Sequence, residues 1–175
     1  MKKVLITGAG SYIGTSFEHY LTEHYPGMYD VCTVDMRSDG WRNMAFRGYD
    51  VVFHVAGIAH IKETDENAEL YYKVNRDLTV ECAKKALSEQ VPHFVFLSSM
   101  SVYGMNSGRI IKETEPSPTT NYGKSKLEAE NDLNILANQF PNTFTVAILR
   151  PPMIYGKGCK GNYNALKKIA LSAVS

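Results

Sequence analysis

The stretch Lys3-Val-Leu-Ile-Thr-Gly-Ala-Gly-Ser-Tyr-Ile-Gly14 predicts how the chain begins to fold. Its first five residues are mostly apolar and β-branched, which is typical of a short buried strand. Three glycines among the next seven residues indicate a tight turn. Apolar or aromatic residues then recur at steps of three and four as far as Pro26-Gly27, which is the spacing of one helical face and a signal for its end. The stretch therefore predicts a strand, a glycine-rich turn and a helix.

A glycine-rich turn that opens a helix can hold a pyrophosphate, because the backbone allows a close approach and the first helical N–H groups are unpaired. A second apolar run, Val31-Cys-Thr-Val34, predicts a strand that ends at Asp35. Asp35 follows Gly14 by about 20 residues, the spacing of the acid that hydrogen-bonds an adenosine ribose. A carboxylate there repels a 2′-phosphate, so the sequence favours NAD over NADP. Arg37 keeps NADP as the less favoured alternative, because a guanidinium can neutralise that phosphate.

Further apolar runs alternate with helical patterns along the rest of the chain. The runs are Val51-Val-Phe-His-Val55, Phe94-Val-Phe-Leu97 and Thr145-Val-Ala-Ile-Leu149; the helical patterns run from Thr64 towards Gln90 and from about Asn121 to Gln139. The strands lack polar alternation, which indicates burial on both faces and a parallel sheet covered by helices. We therefore predict a doubly wound parallel sheet, the Rossmann fold, in three α/β/α layers. Residues 36–49 predict only a short loop or a turn of helix.

Composition limits the classes of function. The chain has 175 residues, 44% hydrophobic and 21% charged, which suits one globular domain. Lys and Arg total 19 against 18 Asp and Glu, a balance that argues against nucleic acid or an anionic membrane as partner. No apolar run approaches the roughly 18 residues that span a bilayer. The three widely spaced cysteines predict no metal site, and their odd number suits reduced thiols in the cytoplasm.

A second group of residues indicates proton-transfer chemistry. Ser98-Ser-Met-Ser-Val-Tyr-Gly104 follows a predicted strand, and Tyr122 and Lys126 lie four residues apart, on one face of a helix. A tyrosine with an ordinary pKa of about 10 is a poor base. A nearby lysine ammonium, together with a positive nicotinamide, is expected to lower the pKa of the phenol. The phenolate can then take a proton from a substrate hydroxyl while hydride passes to the cofactor.

Together these features resemble the extended short-chain dehydrogenases/reductases of the NAD-dependent epimerase/dehydratase family. The motifs that carry the resemblance cover essentially the whole chain. They are residues 7–14, Asp50-Val-Val-Phe-His-Val-Ala-Gly57, Val74-Asn75, Ser98-Ser-Met-Ser-Val-Tyr-Gly104, Glu113-x-x-Pro-x-Pro118, residues 122–126 and Leu149-Arg-Pro-Pro-Met-Ile-Tyr-Gly156.

The resemblance implies an NAD-dependent enzyme that oxidises and re-reduces a hydroxyl of a nucleotide-sugar, as a UDP-sugar 4-epimerase does, or of another small hydroxylated substrate. It implies Tyr122 as the acid/base, Lys126 as the residue that holds the nicotinamide ribose, Ser99 rather than Ser98 as the catalytic hydroxyl, and Asn75 as an organiser of the site. It also implies a homodimer through the helices that carry Asn75 and Tyr122. The cofactor-binding residues implied are Gly8, Gly10, Ser11, Tyr12, Ile13, Gly14, Asp35, Met36, Arg37, Val55, Ala56, Gly57, Leu97, Tyr122, Lys126 and Pro151.

The chain departs from the family pattern at three places. Ser11 stands where the family's usual glycine spacing has its middle glycine. Met100-Ser101 replaces the Asp-Glu pair of the dehydratases, which argues against 4,6-dehydration. The family also continues into a substrate-binding region; we therefore expect a dinucleotide-binding domain over residues 1–160, the start of a truncated substrate region over residues 161–175, and most of that region to be missing.

Two other functions are compatible with the sequence. The first is an NADPH-dependent ketone reductase of the same superfamily, which would consume free NADPH and form no epimer. The second is a dinucleotide-binding module without catalysis, such as a redox sensor.

Overall fold

The computed structural model describes residues 1–59 and 61–159. Five parallel strands form one sheet in the order β2-β1-β3-β4-β5, which confirms the predicted Rossmann fold. The strands are β1 (Lys2–Thr7), β2 (Tyr29–Val34), β3 (Val51–His54), β4 (His93–Leu97) and β5 (Thr145–Leu149). The order reverses between β1 and β3, and the crevice at the carboxyl ends of these two strands is where doubly wound sheets bind ligands.

The helices lie on both faces of the sheet. They are α1 (Tyr12–His24), α2 (Gly40–Asn43), α3 (Ala68–Tyr71), α4 (Leu78–Ser88) and α5 (Asn121–Gln139), with 3₁₀ turns at Asp65–Asn67 and Met100–Tyr103. The larger core packs α2, α4 and α5 on one face, and the smaller one packs α1 on the other. The short helix α2 lies within residues 36–49, where the sequence predicts only a short loop or a turn of helix.

The helix expected from Thr64 towards Gln90 is present as one continuous run from Asp65 to Ser88, with a π-helical turn, Tyr72–Asp77, between α3 and α4. One expectation needs correction. Burial on both faces holds for the middle strands, whereas β2 and β5 contain no fully buried residue. The reason is that β2 and β5 form the edges of the described sheet.

Within residues 1–59 and 61–159, no helix combines the length and apolarity that a bilayer crossing requires. The substrate region expected at residues 161–175 lies outside the described residues.

Candidate active site

The glycine-rich turn joins β1 to α1 in the conformation that a close ligand approach requires. Gly8 and Gly10 have φ of +92° and +73°, a left-handed backbone that favours glycine. A Cβ on Gly8 would lie 3.0 Å from the backbone nitrogen of Ala56. Ser11 has an ordinary φ of −70° and caps α1, its hydroxyl accepting from the N–H of Gly14 at 3.2 Å. Serine therefore fits the family's glycine position here, because the left-handed residue is Gly10.

The remaining residues of this turn face in different directions. Ile13 packs with the smaller core and also lines the cleft described below. The phenol of Tyr12 lies against Gly156, so closely that a Cβ on Gly156 would displace its hydroxyl. The turn is thereby connected to the chain segment that follows β5.

Asp35 follows β2 and lies beside the glycine-rich turn, because the N–H groups of Gly8 and Ala9 both donate to the carbonyl of Val34 at 2.9 and 3.0 Å. Its carboxylate accepts from the side chain and the backbone N–H of Arg37. These hydrogen bonds lower the pKa of Asp35 to about 2. The carboxylate is therefore ionised at neutral pH.

Met36 differs from the two charged residues that flank it. Its side chain is only 8% exposed and packs in the larger core. We infer that any contribution of Met36 to a cofactor site comes through packing or backbone.

The loop after β3 connects the two parts of the predicted site. A Cβ on Gly57 would lie 2.9 Å from Oδ1 of Asn75 and 3.2 Å from Nζ of Lys126. Asn75 Oδ1 accepts from the N–H of Ile58 at 2.9 Å, and its Nδ2 donates to the carbonyl of Ile58 at 3.1 Å. Ala56 is buried and Val55 partly buried beneath this loop.

Tyr122 and Lys126 lie one turn apart on α5. Lys126 is 4% exposed; its ammonium donates to the carbonyl of Leu97 at 2.9 Å and lies 4.6 Å from the centre of the Phe96 ring. Burial lowers the pKa of Lys126 to about 7, although the charge of Glu130 opposes this shift.

The pKa of Tyr122 is raised above its ordinary value; the lowering expected from Lys126 together with a bound nicotinamide stays a prediction. Burial of the phenol is the largest cause, hydrogen bonding with Ser99 lowers the pKa, and Tyr71 raises it further. Desolvation disfavours both charged forms, so the pKa of the phenol rises while that of the ammonium falls, and the two values move apart.

The two adjacent serines after β4 have different partners. Ser98 is 3% exposed, and its hydroxyl donates to the carboxylate of Glu130. The Ser99 hydroxyl donates to the hydroxyl of Ser101 and accepts from the backbone N–H of Ser101, both at 3.1 Å, and its effect on the Tyr122 phenol is to lower the pKa. Of the two serines, Ser99 is therefore the one that acts on the phenol of Tyr122.

Asn75 is buried in the π-helical turn and hydrogen-bonds two segments of the candidate site. Its Nδ2 donates to the Ser125 hydroxyl at 3.2 Å, and that hydroxyl donates to the carbonyl of Tyr122 at 2.9 Å. Because it also holds Ile58, Asn75 joins the β3 loop to the first turns of α5.

Sequence reasoning missed a buried ion pair behind Lys126. Glu130, which is 1% exposed, accepts from Nε and Nη2 of Arg150 at 3.0 and 2.5 Å. Nη1 of Arg150 donates to the Tyr103 hydroxyl at 2.6 Å. Glu130 lies four residues beyond Lys126, and this spacing, which places both residues on one face of the helix, was the signal available in the sequence.

Sequence reasoning also gave no role to His54, which is fully buried and connects the two parts of the site. Burial, aided by the charge of Lys126, lowers its pKa to about 3, so the ring is neutral. Thr79 Oγ1 donates to the carbonyl of Asn75 at 2.8 Å and contacts His54 Nε2 at 3.0 Å, so we assign the ring proton to Nε2. Nδ1 then accepts from the hydroxyl of Thr7 at 2.8 Å.

A cleft of ≈ 750 Å³ opens where these elements meet. Many of the predicted residues line it, namely Ile13, Val55, Gly57, Leu97, Ser99, Tyr122, Lys126 and Pro151. The cleft is also lined by residues that were not predicted from the sequence, among them Met100, Met105, Asn106 and Met153. The arrangement places a phenol, a hydroxyl and an ammonium on one wall of a cavity that reaches the first turn of α1. Within the described part of the chain, no three His, Cys, Asp or Glu residues are grouped to hold a metal ion.

Comparison with known proteins identifies what the chain is similar to. The model of the "NAD dependent epimerase/dehydratase family" matches residues 4–174. A UDP-glucose 4-epimerase of Vibrio cholerae is 29% identical over 197 residues, covering 99% of this chain and 58% of that protein. An N-acetyl-alpha-D-glucosaminyl-diphospho-ditrans,octacis-undecaprenol 4-epimerase of Escherichia coli O157:H7 is 30% identical over 181 residues, covering 95% and 54%.

Among solved structures, MoeE5 in complex with UDP-glucose and NAD superposes with a TM-score of 0.79 at 25% identity, covering 90% of this chain and 56% of that one. A UDP-glucuronic acid 4-epimerase from Bacillus cereus in complex with NAD has a TM-score of 0.76 at 23% identity, covering 88% and 58%, and shows the shared fold. The chain spans a little over half the length of the relatives it matches.

Proposed function

The chain belongs to the NAD dependent epimerase/dehydratase family, and from that premise we propose that it binds NAD and belongs to a nucleotide-sugar 4-epimerase that oxidises and re-reduces one sugar hydroxyl. The observation that carries the proposal is the meeting of Ser99, Tyr122 and Lys126 on one wall of the cleft. The two epimerase relatives are named for sugars linked to a nucleotide or through a diphosphate, and these names support a nucleotide-sugar as the substrate class.

The residues around the glycine-rich turn fit NAD. The left-handed backbone of Gly8 and Gly10 forms the tight turn that a pyrophosphate site needs, and a Cβ at Gly8 would press on the backbone of Ala56. The N-terminus of α1 would face the phosphates, and the ionised Asp35 would accept from the adenosine ribose hydroxyls. Because Arg37 is already bonded to Asp35, it is not poised for a 2′-phosphate, and this supports NAD over NADP.

When bound, oxidised NAD supplies the hydride acceptor and a positive charge that lowers the pKa of the nearby phenol. The chain's own residues handle the proton. The phenolate of Tyr122 takes the proton of the substrate hydroxyl, and Ser99 orients the same oxygen by hydrogen bonding. Lys126 stabilises the phenolate by its charge while the carbonyl of Leu97 holds its ammonium in place.

Calorimetric titration of the chain with NAD and with NADP tests the cofactor. We expect NAD to bind and Asp35→Ala to weaken it, because the ribose loses its acceptor. Binding of NADP but not NAD would overturn the role of Asp35.

The chemistry is tested by mixing NAD-loaded protein with UDP-glucose and following the near-ultraviolet absorbance of reduced nicotinamide. Tyr122→Phe should abolish the signal, whereas Tyr20→Phe, which changes an exposed tyrosine on α1, should leave it unaltered. An unaltered signal in Tyr122→Phe would exclude the proposed acid/base. Net consumption of NADPH without an epimer would indicate a reductase, and cofactor binding without any turnover would favour a non-catalytic module.

A homodimer through α4 and α5 is the second part of the proposal. A groove between these helices carries the 57% exposed Ile135 and charges of both signs, including Arg76, Glu81 and Asp132. A two-fold interface uses the same patch on both subunits, and a patch that carries charges of both signs can pair with its own copy. Sedimentation should give a dimer that Ile135→Glu dissociates; a monomer at every concentration would remove this part.

A cytoplasmic location is the expectation that the cysteines support. Cys82 is fully buried in the larger core, and burial raises the pKa of its thiol, which keeps it unreactive. Cell fractionation tests the location directly, and recovery in an oxidising compartment would contradict it.

A further inference from the structure

Residues 61–67, which precede α3, are held by a dense set of hydrogen bonds. The hydroxyl of Tyr71, a residue only 1% exposed, donates to the carbonyl of Ile61 at 2.6 Å. The Oδ1 of Asn67 accepts from the N–H of Thr64 at 3.0 Å, and the N–H of Asn67 donates to the carbonyl of Thr64 at 3.2 Å. A side chain that projects from this segment is therefore aimed by a fixed backbone.

Glu63 projects from the middle of this segment onto the first turn of α5. Its two carboxylate oxygens accept from the backbone N–H groups of Asn121 and Tyr122, each at 3.0 Å. The N-cap residue Thr120 accepts from the N–H of Gly123 at 3.0 Å. The first three N–H groups of α5 are thus all paired, and a negative charge faces the positive end of the helix dipole.

This arrangement bears directly on the Tyr122 side chain. The ring of Tyr71 packs edge-on against the ring of Tyr122, with centroids 6.4 Å apart. Tyr122 is consequently held twice, through its backbone N–H by Glu63 and through its ring by Tyr71, whose hydroxyl is itself bonded to the segment at Ile61. A carboxylate that accepts from two consecutive N–H groups opposes both sliding and rotation of that helical turn.

We propose that Glu63 is a positioning residue that holds the first turn of α5 so that the phenol of Tyr122 stays beside Ser99. The catalytic part of this role rests on the proposed function, in which that phenol exchanges a proton with substrate. Glu63 contributes through the backbone of α5 and does not enter the proton transfer itself.

The geometry is tested first, without any turnover, in Glu63→Ala and Glu63→Gln. Glu66→Ala is the matched control, because it removes an exposed carboxylate from the same segment. Amide exchange over residues 120–124 should accelerate by about tenfold in Glu63→Ala and less in Glu63→Gln, which keeps one acceptor oxygen. In protein labelled with 3-fluorotyrosine, the ¹⁹F resonance that Tyr122→Phe removes should shift or broaden in Glu63→Ala only.

The functional arm uses the NAD-loaded chain and UDP-glucose. We expect Glu63→Ala to reduce the rate of nicotinamide reduction at saturating UDP-glucose by about tenfold or more, because small misplacements of a catalytic group are costly. The dissociation constant for NAD should stay within about twofold, since the glycine-rich turn is untouched. Glu63→Gln should retain more of the rate than Glu63→Ala.

Several outcomes would overturn the proposal. Unchanged exchange over residues 120–124, or an unmoved Tyr122 resonance, would show that Glu63 does not hold the turn. Faster exchange with an unchanged reduction rate would limit Glu63 to a structural role. If the wild-type chain reduces no nicotinamide with UDP-glucose, the proposed function fails, while the exchange and ¹⁹F results still decide whether Glu63 positions the phenol.

Discussion

Two arginine–carboxylate pairs of the same geometry stand in the two halves of the candidate site. In the cofactor half, Nε and Nη2 of Arg37 donate to Asp35 at 2.9 and 2.6 Å, and the side chains are 86% and 41% exposed. In the catalytic half, Nε and Nη2 of Arg150 donate to Glu130 at 3.0 and 2.5 Å, and the side chains are 29% and 1% exposed. The two pairs differ in burial and in sequence separation, not in chemistry.

That difference separates a binding surface from a scaffold. Water screens the exposed pair, so it adds little to stability and leaves Asp35 accessible to a ligand. The buried pair also receives the Ser98 hydroxyl and reaches Tyr103, so it joins the ends of β4 and β5 to α5. Neither of its members can be removed without leaving a charge unpaired inside the protein.

The largest expected effect comes from breaking the buried pair. Glu130→Ala should lower the free energy of unfolding by about 3–5 kcal/mol, because it strands the Arg150 guanidinium. Urea denaturation measures the loss. Glu128→Ala is the control, since its 45% exposed carboxylate pairs with Arg76 at the surface at 3.5 Å. Equal losses in the two variants would mean that burial does not distinguish the pairs.

The second prediction concerns the pH dependence of stability that the burial of Lys126 should cause. Burial holds the pKa of Lys126 at about 7, so from there to about pH 10 the unfolded chain binds more protons than the folded one. Wild-type stability should therefore rise with pH across this window by an amount of the order of 2–4 kcal/mol relative to Lys126→Met. Urea denaturation at several pH values checks this, and parallel pH curves for the two proteins would show that Lys126 is not desolvated.

A smaller effect is expected at Gly57, where the two halves meet. Gly57→Ala would place a methyl group 2.9 Å from Oδ1 of Asn75 and 3.2 Å from Nζ of Lys126. We expect a loss of about 1–3 kcal/mol in the free energy of unfolding from overpacking. Gly40→Ala, whose new Cβ would meet only the Ser38 hydroxyl at 3.7 Å, is the control. A neutral Gly57→Ala would indicate that the loop yields easily.

The smallest effect is expected at the exposed pair. Arg37→Ala should leave the urea midpoint within experimental error, because water replaces the lost hydrogen bonds. It should nevertheless raise the pKa of Asp35, since Arg37 is the main cause of its low value. NMR titration of the Asp35 carboxyl measures that change. A large loss of stability would contradict the distinction between the two pairs.

Local spacing accounts for what could be predicted. The strand, turn and helix at residues 3–24, the acid after β2 and the bounds of α5 at Asn121 and Gln139 follow from periodicity, glycine and proline, which act within a few residues. The positions of Tyr122 and Lys126 on one helical face have the same origin. Their use in catalysis remains a prediction.

The sequence by itself determined the order of strands and helices, the glycine-rich turn and the acid that follows β2, because these depend on neighbours along the chain. Only the tertiary structure decided that Glu130 and Lys126 are buried, that Glu63 reaches α5, and that His54 joins Thr7 to Thr79. In the sequence, Glu63, Lys126 and Glu130 cannot be told apart from the solvent-exposed charged residues that are common on helix surfaces and in loops. Whether a polar group is desolvated depends on segments from distant parts of the chain that pack against it. Desolvation in turn sets the pKa values and the contribution of each ion pair to stability.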